Sequence, residues 1–172
     1  LGSQYALLRS EFAEWRLYSL KRRSKLELKK LLISMGGVDI NNVTENVLDE
    51  LKLCNLPSDM NITVVMGRSA PHLESVKSKA MKLPFKTEVK VDVSNMAEVM
   101  ANSDFAIGAA GATTWERCCL GLPTIQIVTA ENQNNIAKSL AKNNAIKHLQ
   151  DIKELSRMIS DVTCWMKDVS GF

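Results

Sequence analysis

The sequence is poor in the residues that build metal and redox centres. It has 2 histidines and 4 cysteines in 172 residues. His72 and His148 stand alone, and Cys54, Cys118, Cys119 and Cys164 form no Cys-x-x-Cys pair. That spacing gives no metal site and no metal cofactor is expected. Neighbouring cysteines such as Cys118 and Cys119 rarely bridge each other, so the thiols read as reduced and buried. There is no long apolar run, which excludes a membrane-spanning helix. No charged-then-apolar leader opens the chain, so a cytoplasmic location is expected. Leu1 is not an initiator methionine, which suggests a fragment or processed chain. The sequence also lacks Gly-x-Ser-x-Gly, Gly-x-Gly-x-x-Gly and a Walker lysine motif. A net charge of +3 is too small to imply a nucleic-acid partner.

What is present reads as one globular domain. Apolar residues make up 45% and charged residues 24%, enough for a packed core. Charge is unevenly spread: residues 1–30 hold eight Lys/Arg against three acids. In the same segment Tyr5, Leu8, Phe12 and Trp15 recur at spacings of three and four, a helical stripe. The basic run Lys21-Arg22-Arg23-Ser24-Lys25 follows. Residues 1–28 therefore read as an interdomain linker helix, a patch for a membrane or acidic partner, or a solvated face. The first reading is preferred and membrane association is not expected.

From Lys29 onward, strand and helix signals alternate without a break. "KKLLISM", "NITVVMG", "TEVKVDV", "DFAIG", "PTIQIV" and "AIKHL" read as six strands. Helices are expected over Val43–Leu53, Pro71–Lys82, Ser94–Asn102, Thr114–Leu120 and Asn132–Asn143, with a last one from Asp151 towards Lys167. Ser94, Asn132 and Asp151 are the expected caps. This alternation predicts an α/β doubly wound, Rossmann-like parallel sheet with residues 29–172 as its domain. Ligands of such sheets bind outside the carboxyl ends of the strands, where strand order switches. The loops that matter are then 36–42, 67–70, 92–95, 108–114 and 129–134.

Three of these loops carry candidate binding groups. Gly36-Gly37 would let an anion approach backbone beside a helix start, or would simply make a tight turn. Asp39, Asn42 and Thr44 add polar groups to it. Gly108 to Ala112 expose backbone, and Thr113 and Thr114 add hydroxyls, which suits a phosphate held without metal. Glu116 has two readings. In Thr-x-x-Glu it would cap its own helix by accepting the Thr113 N–H. Alternatively its carboxylate would take the two hydroxyls of a ribose, several bonds from the phosphate. In "TAENQNNIAKSL", Gln133, Asn134 and Asn135 follow Glu131, and their amides suit sugar hydroxyls or a plain helix start. Neither histidine has a local partner, so no catalytic residue is assigned.

These loops also resemble a known family. "GGVDINNVT" at 36–44, "GATTWERCCLGLP" at 111–123 and "GSQYALLRSEF" at 2–12 are similar to motifs of the UDP-sugar hydrolases of pseudaminic acid biosynthesis. Those enzymes belong to the GT-B superfamily. The departures are Ala109 and Ala110, where another glycine is usual, and Ser3 and Ser10, where proline is common. The resemblance implies the C-terminal, UDP-binding half of a GT-B enzyme. Such enzymes release UDP from UDP-2,4-diacetamido-2,4,6-trideoxy-β-L-altropyranose by attack of water at the anomeric carbon, without metal. It further implies that Gly36, Gly37 and Gly111 approach the diphosphate and that Thr113 and Thr114 bind phosphate. Glu116 would hold the ribose, the backbone at Val93 would flank uracil, and Gln133 and Asn134 would face the sugar. The catalytic histidine of that family lies in an N-terminal domain that this chain lacks. A sugar transferase of the same superfamily, or a non-catalytic nucleotide-sugar module, remains the alternative.

Overall fold

A computed structural model describes residues 8–161, apart from residues 26, 130–132 and 144. Tyr5, Glu131, Asn132, Cys164 and the run of the last helix towards Lys167 lie outside the described residues. Six strands form one sheet: β1 (Lys30–Ser34), β2 (Asn61–Met66), β3 (Lys86–Val91), β4 (Phe105–Ala109), β5 (Thr124–Ile127) and β6 (Lys147–Leu149). Their order is β3-β2-β1-β4-β5-β6, and every pair is parallel. The chain winds outwards from β1 to β3, returns, and winds outwards again from β4 to β6. Strand order therefore switches between β1 and β4, the ligand crevice of such sheets. Ser34 stands opposite Gly108 in that pair, so the two glycine-bearing loops leave the sheet side by side.

Both faces of the sheet are covered. On one face α2 (Val43–Leu51), α3 (Leu73–Ala80) and α7 (Leu155–Ser160) pack on Leu31, Ile33, Ile62, Val64 and Ile107. On the other, Phe12 of α1 (Ser10–Arg23) and Met96 and Met100 of α4 (Met96–Ala101) pack on Leu32 and Ala106. Leu120 and Leu122, which follow α5 (Thr113–Cys119), close that cluster. The continuous burial of β4, of β5 and of β1 after Lys30 reflects cover on both faces. β3, at the edge, keeps alternating charged residues, which discourages pairing with another chain. Among the described residues, no helix is long and apolar enough to cross a membrane.

Helix ends differ from the sequence expectation. Asn95, not Ser94, is the N-cap residue of α4, and its side chain accepts no backbone N–H; its amide donates to the Glu98 carboxylate. Residues 71 and 72 form a turn before α3 starts at Leu73. Asp151 does cap, accepting the Lys153 N–H at 3.0 Å, but it caps a short 3-10 turn that leads into α7.

The α1 helix is docked on the domain through its basic end. Arg22 pairs with buried Asp104, whose carboxylate also accepts the backbone N–H groups of Lys29 and Lys30 at 2.9 and 2.8 Å. Arg23 donates to the carbonyls of Met100, Ser103 and Leu120 at 2.9, 2.8 and 3.0 Å. Those carbonyls end α4 and α5, where helices leave acceptors unsatisfied. Two of the four cations in the basic run are thus committed to the fold, while Lys21 and Lys25 remain exposed. The run is accordingly a weaker surface patch than its composition suggests.

Candidate functional site

The first wall of the crevice is the loop from β1 to α2. Gly36 takes φ +92°, and both glycines are exposed with open space where a side chain would stand. The helix start behind them is already occupied. Asp39 accepts the N–H groups of Val43 and Thr44 at 2.9 and 2.8 Å. The expected anion site at the first turn of α2 is therefore filled by the protein's own carboxylate. Asn42, in the left-handed region, makes no cap bond of its own, and the Thr44 side chain is buried. The loop is supported from below by Gly67, whose N–H donates to the Gly37 carbonyl at 3.0 Å. A Cβ on Gly67 would lie 2.3 Å from that oxygen, so only glycine permits the approach.

The second wall is the loop from β4 to α5. Ala109 and Ala110 are buried, whereas Gly111 and Ala112 are exposed. A Cβ on Gly111 would meet nothing, so its absence is not required by packing. The N–H groups of Gly111, Ala112 and Thr113 have no acceptor among the described residues. Thr113 is half-buried, but Thr114 is buried, its hydroxyl accepting from Gln126 at 2.9 Å and from Arg117 at 3.3 Å. Thr114 thus braces the loop from inside, and Thr113 carries the hydroxyl nearer the surface.

Arg117 is the residue that sequence reasoning missed. Its guanidinium is 2% exposed and folds back under the loop. It donates to the Thr113 hydroxyl at 3.0 Å and to the Ala109 carbonyl at 2.7 Å. Burial pushes it down to about 10. A signal was present: Arg117 stands four residues after Thr113 and three after Thr114, on the same helical face. Gly108 makes the room, since a Cβ there would lie 2.6 Å from Arg117 Nη1.

Glu116 does not form the capping box. Thr113 is already inside α5, whose N-cap is Ala112, and no side chain caps it. The Glu116 carboxylate instead lies 3.6 Å from Arg9, the residue just before α1. Burial pushes its carboxyl above the ordinary range, while Arg9 and Arg117 pull it down. The end of α5 explains the rest of the motif. Gly121, at φ +60°, and buried Leu122 close a Schellman turn, with Leu122 N–H on the Arg117 carbonyl and Gly121 N–H on that of Cys118. Leu-Gly-Leu-Pro is therefore a helix stop. Burial raises the Cys118 thiol, which makes it a poor nucleophile.

The remaining residues are placed by neighbouring strands. Val93 follows β3 and packs against the cluster holding Phe12 and Leu32, on the α1 side of the sheet. The side-chain carbonyl of Gln133 accepts the N–H of Thr129 at 3.1 Å and its hydroxyl at 3.3 Å. Asn134 starts α6 (Asn134–Lys142) and lines a shallow cleft with Lys138, His148 and Gln150. Burial, then Lys138, lowers His148. His72 Nε2 lies 3.1 Å from the Ile40 carbonyl oxygen and steadies the first loop.

Comparison with known proteins agrees with this architecture. The chain is 31% identical over 155 residues to an uncharacterised protein of Methanocaldococcus jannaschii, covering 89% of this chain and 32% of that one. It is 30% identical to the spore coat polysaccharide biosynthesis protein SpsG of Bacillus subtilis, over 84% of this chain and 41% of that one. A Listeria monocytogenes UDP-N-acetylglucosamine–N-acetylmuramyl-(pentapeptide) pyrophosphoryl-undecaprenol N-acetylglucosamine transferase is 32% identical over 65% of this chain and 31% of its own. The chain therefore spans less than half the length of these relatives. Among solved structures, MurG of Acinetobacter baumannii superposes with a TM-score of 0.72 at 20% identity, over 88% of this chain and 47% of that one. The C-terminal CMP-Kdo binding domain of WaaA from the same organism superposes at 0.58 and 12% identity, over 93% and 97% of the two chains. These two share the fold. Residues 31–167 match the glycosyltransferase family 28 C-terminal domain, and the chain belongs to that family.

Proposed function

We propose that this chain is the UDP-sugar-binding half of a two-domain GT-B enzyme, with catalysis completed by an N-terminal domain of the same protein. The observation that carries the reading is the pairing of the two glycine loops at the β1/β4 switch, above a buried cation and beside Glu116. In this reading Gly36, Gly37, Gly111 and Thr113 meet the diphosphate through backbone and hydroxyl groups, and Thr114 braces them. Glu116 accepts the ribose hydroxyls, Val93 backbone flanks uracil, and Gln133 and Asn134 face the sugar. Residues 1–28 connect the halves. A cytoplasmic location is included, in keeping with free thiols at Cys54, Cys118 and Cys119.

For the reaction, we infer hydrolysis of UDP-2,4-diacetamido-2,4,6-trideoxy-β-L-altropyranose in pseudaminic acid biosynthesis. Its support is the Trp-Glu-Arg-Cys-Cys run with the Gly-Gly-x-Asp-x-x-Asn-x-Thr loop. Transfer of the sugar to an acceptor is the second reading, favoured by the transferases among the relatives. Product analysis with the full-length protein separates them. Free sugar plus UDP is the expected result. A glycosylated acceptor identifies a transferase, and no UDP release from any nucleotide sugar identifies a binding module.

A further inference from the structure

We propose that Arg117 is a positioning residue for the diphosphate, fixing the Thr113 hydroxyl and supplying from below the positive charge that the 108–114 loop lacks. This rests on the nucleotide site described above. The loop itself contains no Lys or Arg. The acceptors of the Arg117 guanidinium are two hydroxyls and a carbonyl, none of them a carboxylate. Its Nε is buried without any partner. Glu116 acts on it only through space, and a desolvated cation with no carboxylate in hydrogen-bond contact is costly in a folded chain. The cost falls when an anion settles nearby, because the intervening medium screens little.

The geometry gives the charge a route to the ligand. Thr113 Oγ1 accepts from Arg117 Nη1, so its single proton is free to point outwards. A hydroxyl polarised by a cation is a stronger donor to a phosphate oxygen. On the other side Arg9 faces Glu116 and offsets its charge, which limits repulsion between that carboxylate and a diphosphate. Gly108 is part of the same arrangement, since any side chain there would collide with the guanidinium.

The test compares UDP with uridine, by calorimetry, on the 172-residue chain. In Arg117→Met the ratio of UDP to uridine affinity is expected to fall roughly ten- to hundredfold, the scale of a lost charge-assisted interaction, while uridine affinity is unchanged. Arg117→Lys restores part of the ratio. An unchanged ratio in Arg117→Met, or parallel loss of uridine, overturns the role and leaves a structural staple. Should the variants not fold, 15N spectra of the wild-type chain decide. The Arg117 Nε–H resonance should move on adding UDP and stay on adding uridine; equal movement overturns the role. A folded wild-type chain that binds neither ligand overturns the nucleotide site itself, which distinguishes that failure from failure of Arg117 alone.

Discussion

Arg23→Met is expected to lower the unfolding free energy by about 2–4 kcal/mol, the scale of breaking a buried charged network. The guanidinium joins the last turns of two helices to α1, and methionine keeps its bulk without its donors. Four carbonyls lose a charged donor, those of Ser19, Met100, Ser103 and Leu120. Weaker support remains on the last three, from the Ser103 N–H at 3.2 Å, Arg22 at 3.3 Å and the Ser19 hydroxyl at 2.6 Å. Burial holds Arg23 down to about 10, with Arg22 adding to the effect and Asp104 and Tyr18 opposing it. The group is nonetheless charged at neutral pH, so the loss is present throughout the ordinary range. Urea denaturation measures it as a lower midpoint with unchanged slope. A change below ~0.5 kcal/mol, the range of ordinary surface substitutions, would mean that α1 is not held by this residue.

The second large effect falls on binding and leaves the fold alone. Glu116→Ala is expected to weaken UDP roughly ten- to hundredfold, as for loss of hydrogen bonds to a charged acceptor. Stability should change by less than ~0.5 kcal/mol, because the one ion pair lost is long and its Arg9 partner is half exposed. A capping box would predict the reverse, about 1 kcal/mol of stability and no effect on affinity per folded molecule. The pH dependence has a definite sign. Burial raises the Glu116 carboxyl, and its charged form is the stronger acceptor for the two ribose hydroxyls. Uridine affinity, free of phosphate titration, should therefore fall as pH drops through a value above the ordinary carboxylate range. The same burial opposes stability where the carboxylate is charged, so this group adds stability as pH falls. In Glu116→Gln the fall in uridine affinity should vanish; its persistence would assign the titration to another group.

Much of the architecture was legible because burial imposes a period on the sequence. Strands buried on both faces, such as "LLIS" and "FAIGA", leave unbroken apolar runs, and turns punctuate them. The alternation of elements predicted the parallel sheet and the loops at its carboxyl edge. The contacts that decide the site were not legible, because they join residues far apart in sequence or depend on rotamers. Asp39 read only as one of three polar groups in its loop, yet its backbone at φ +46° turns the carboxylate back onto two N–H groups at the helix start. Thr-x-x-Glu suggested a box, but the helix began one residue early, at Thr113, and Glu116 turned to Arg9. Arg117 was visible only as a neighbour of Glu116. Its place under the loop depends on the room at Gly108, on the strand that leads into the helix carrying it. Likewise the partners of Arg23 outside its own helix lie 77 to 97 residues further along the chain.

The central claim is that the crevice between the β1 and β4 loops holds the UDP portion of a nucleotide sugar. Titration of UDP into the 172-residue chain, followed by calorimetry with folding checked by circular dichroism, tests it most directly. The account predicts a saturable single-site isotherm that weakens in Glu116→Ala. No heat at millimolar UDP, with the chain folded, would contradict it.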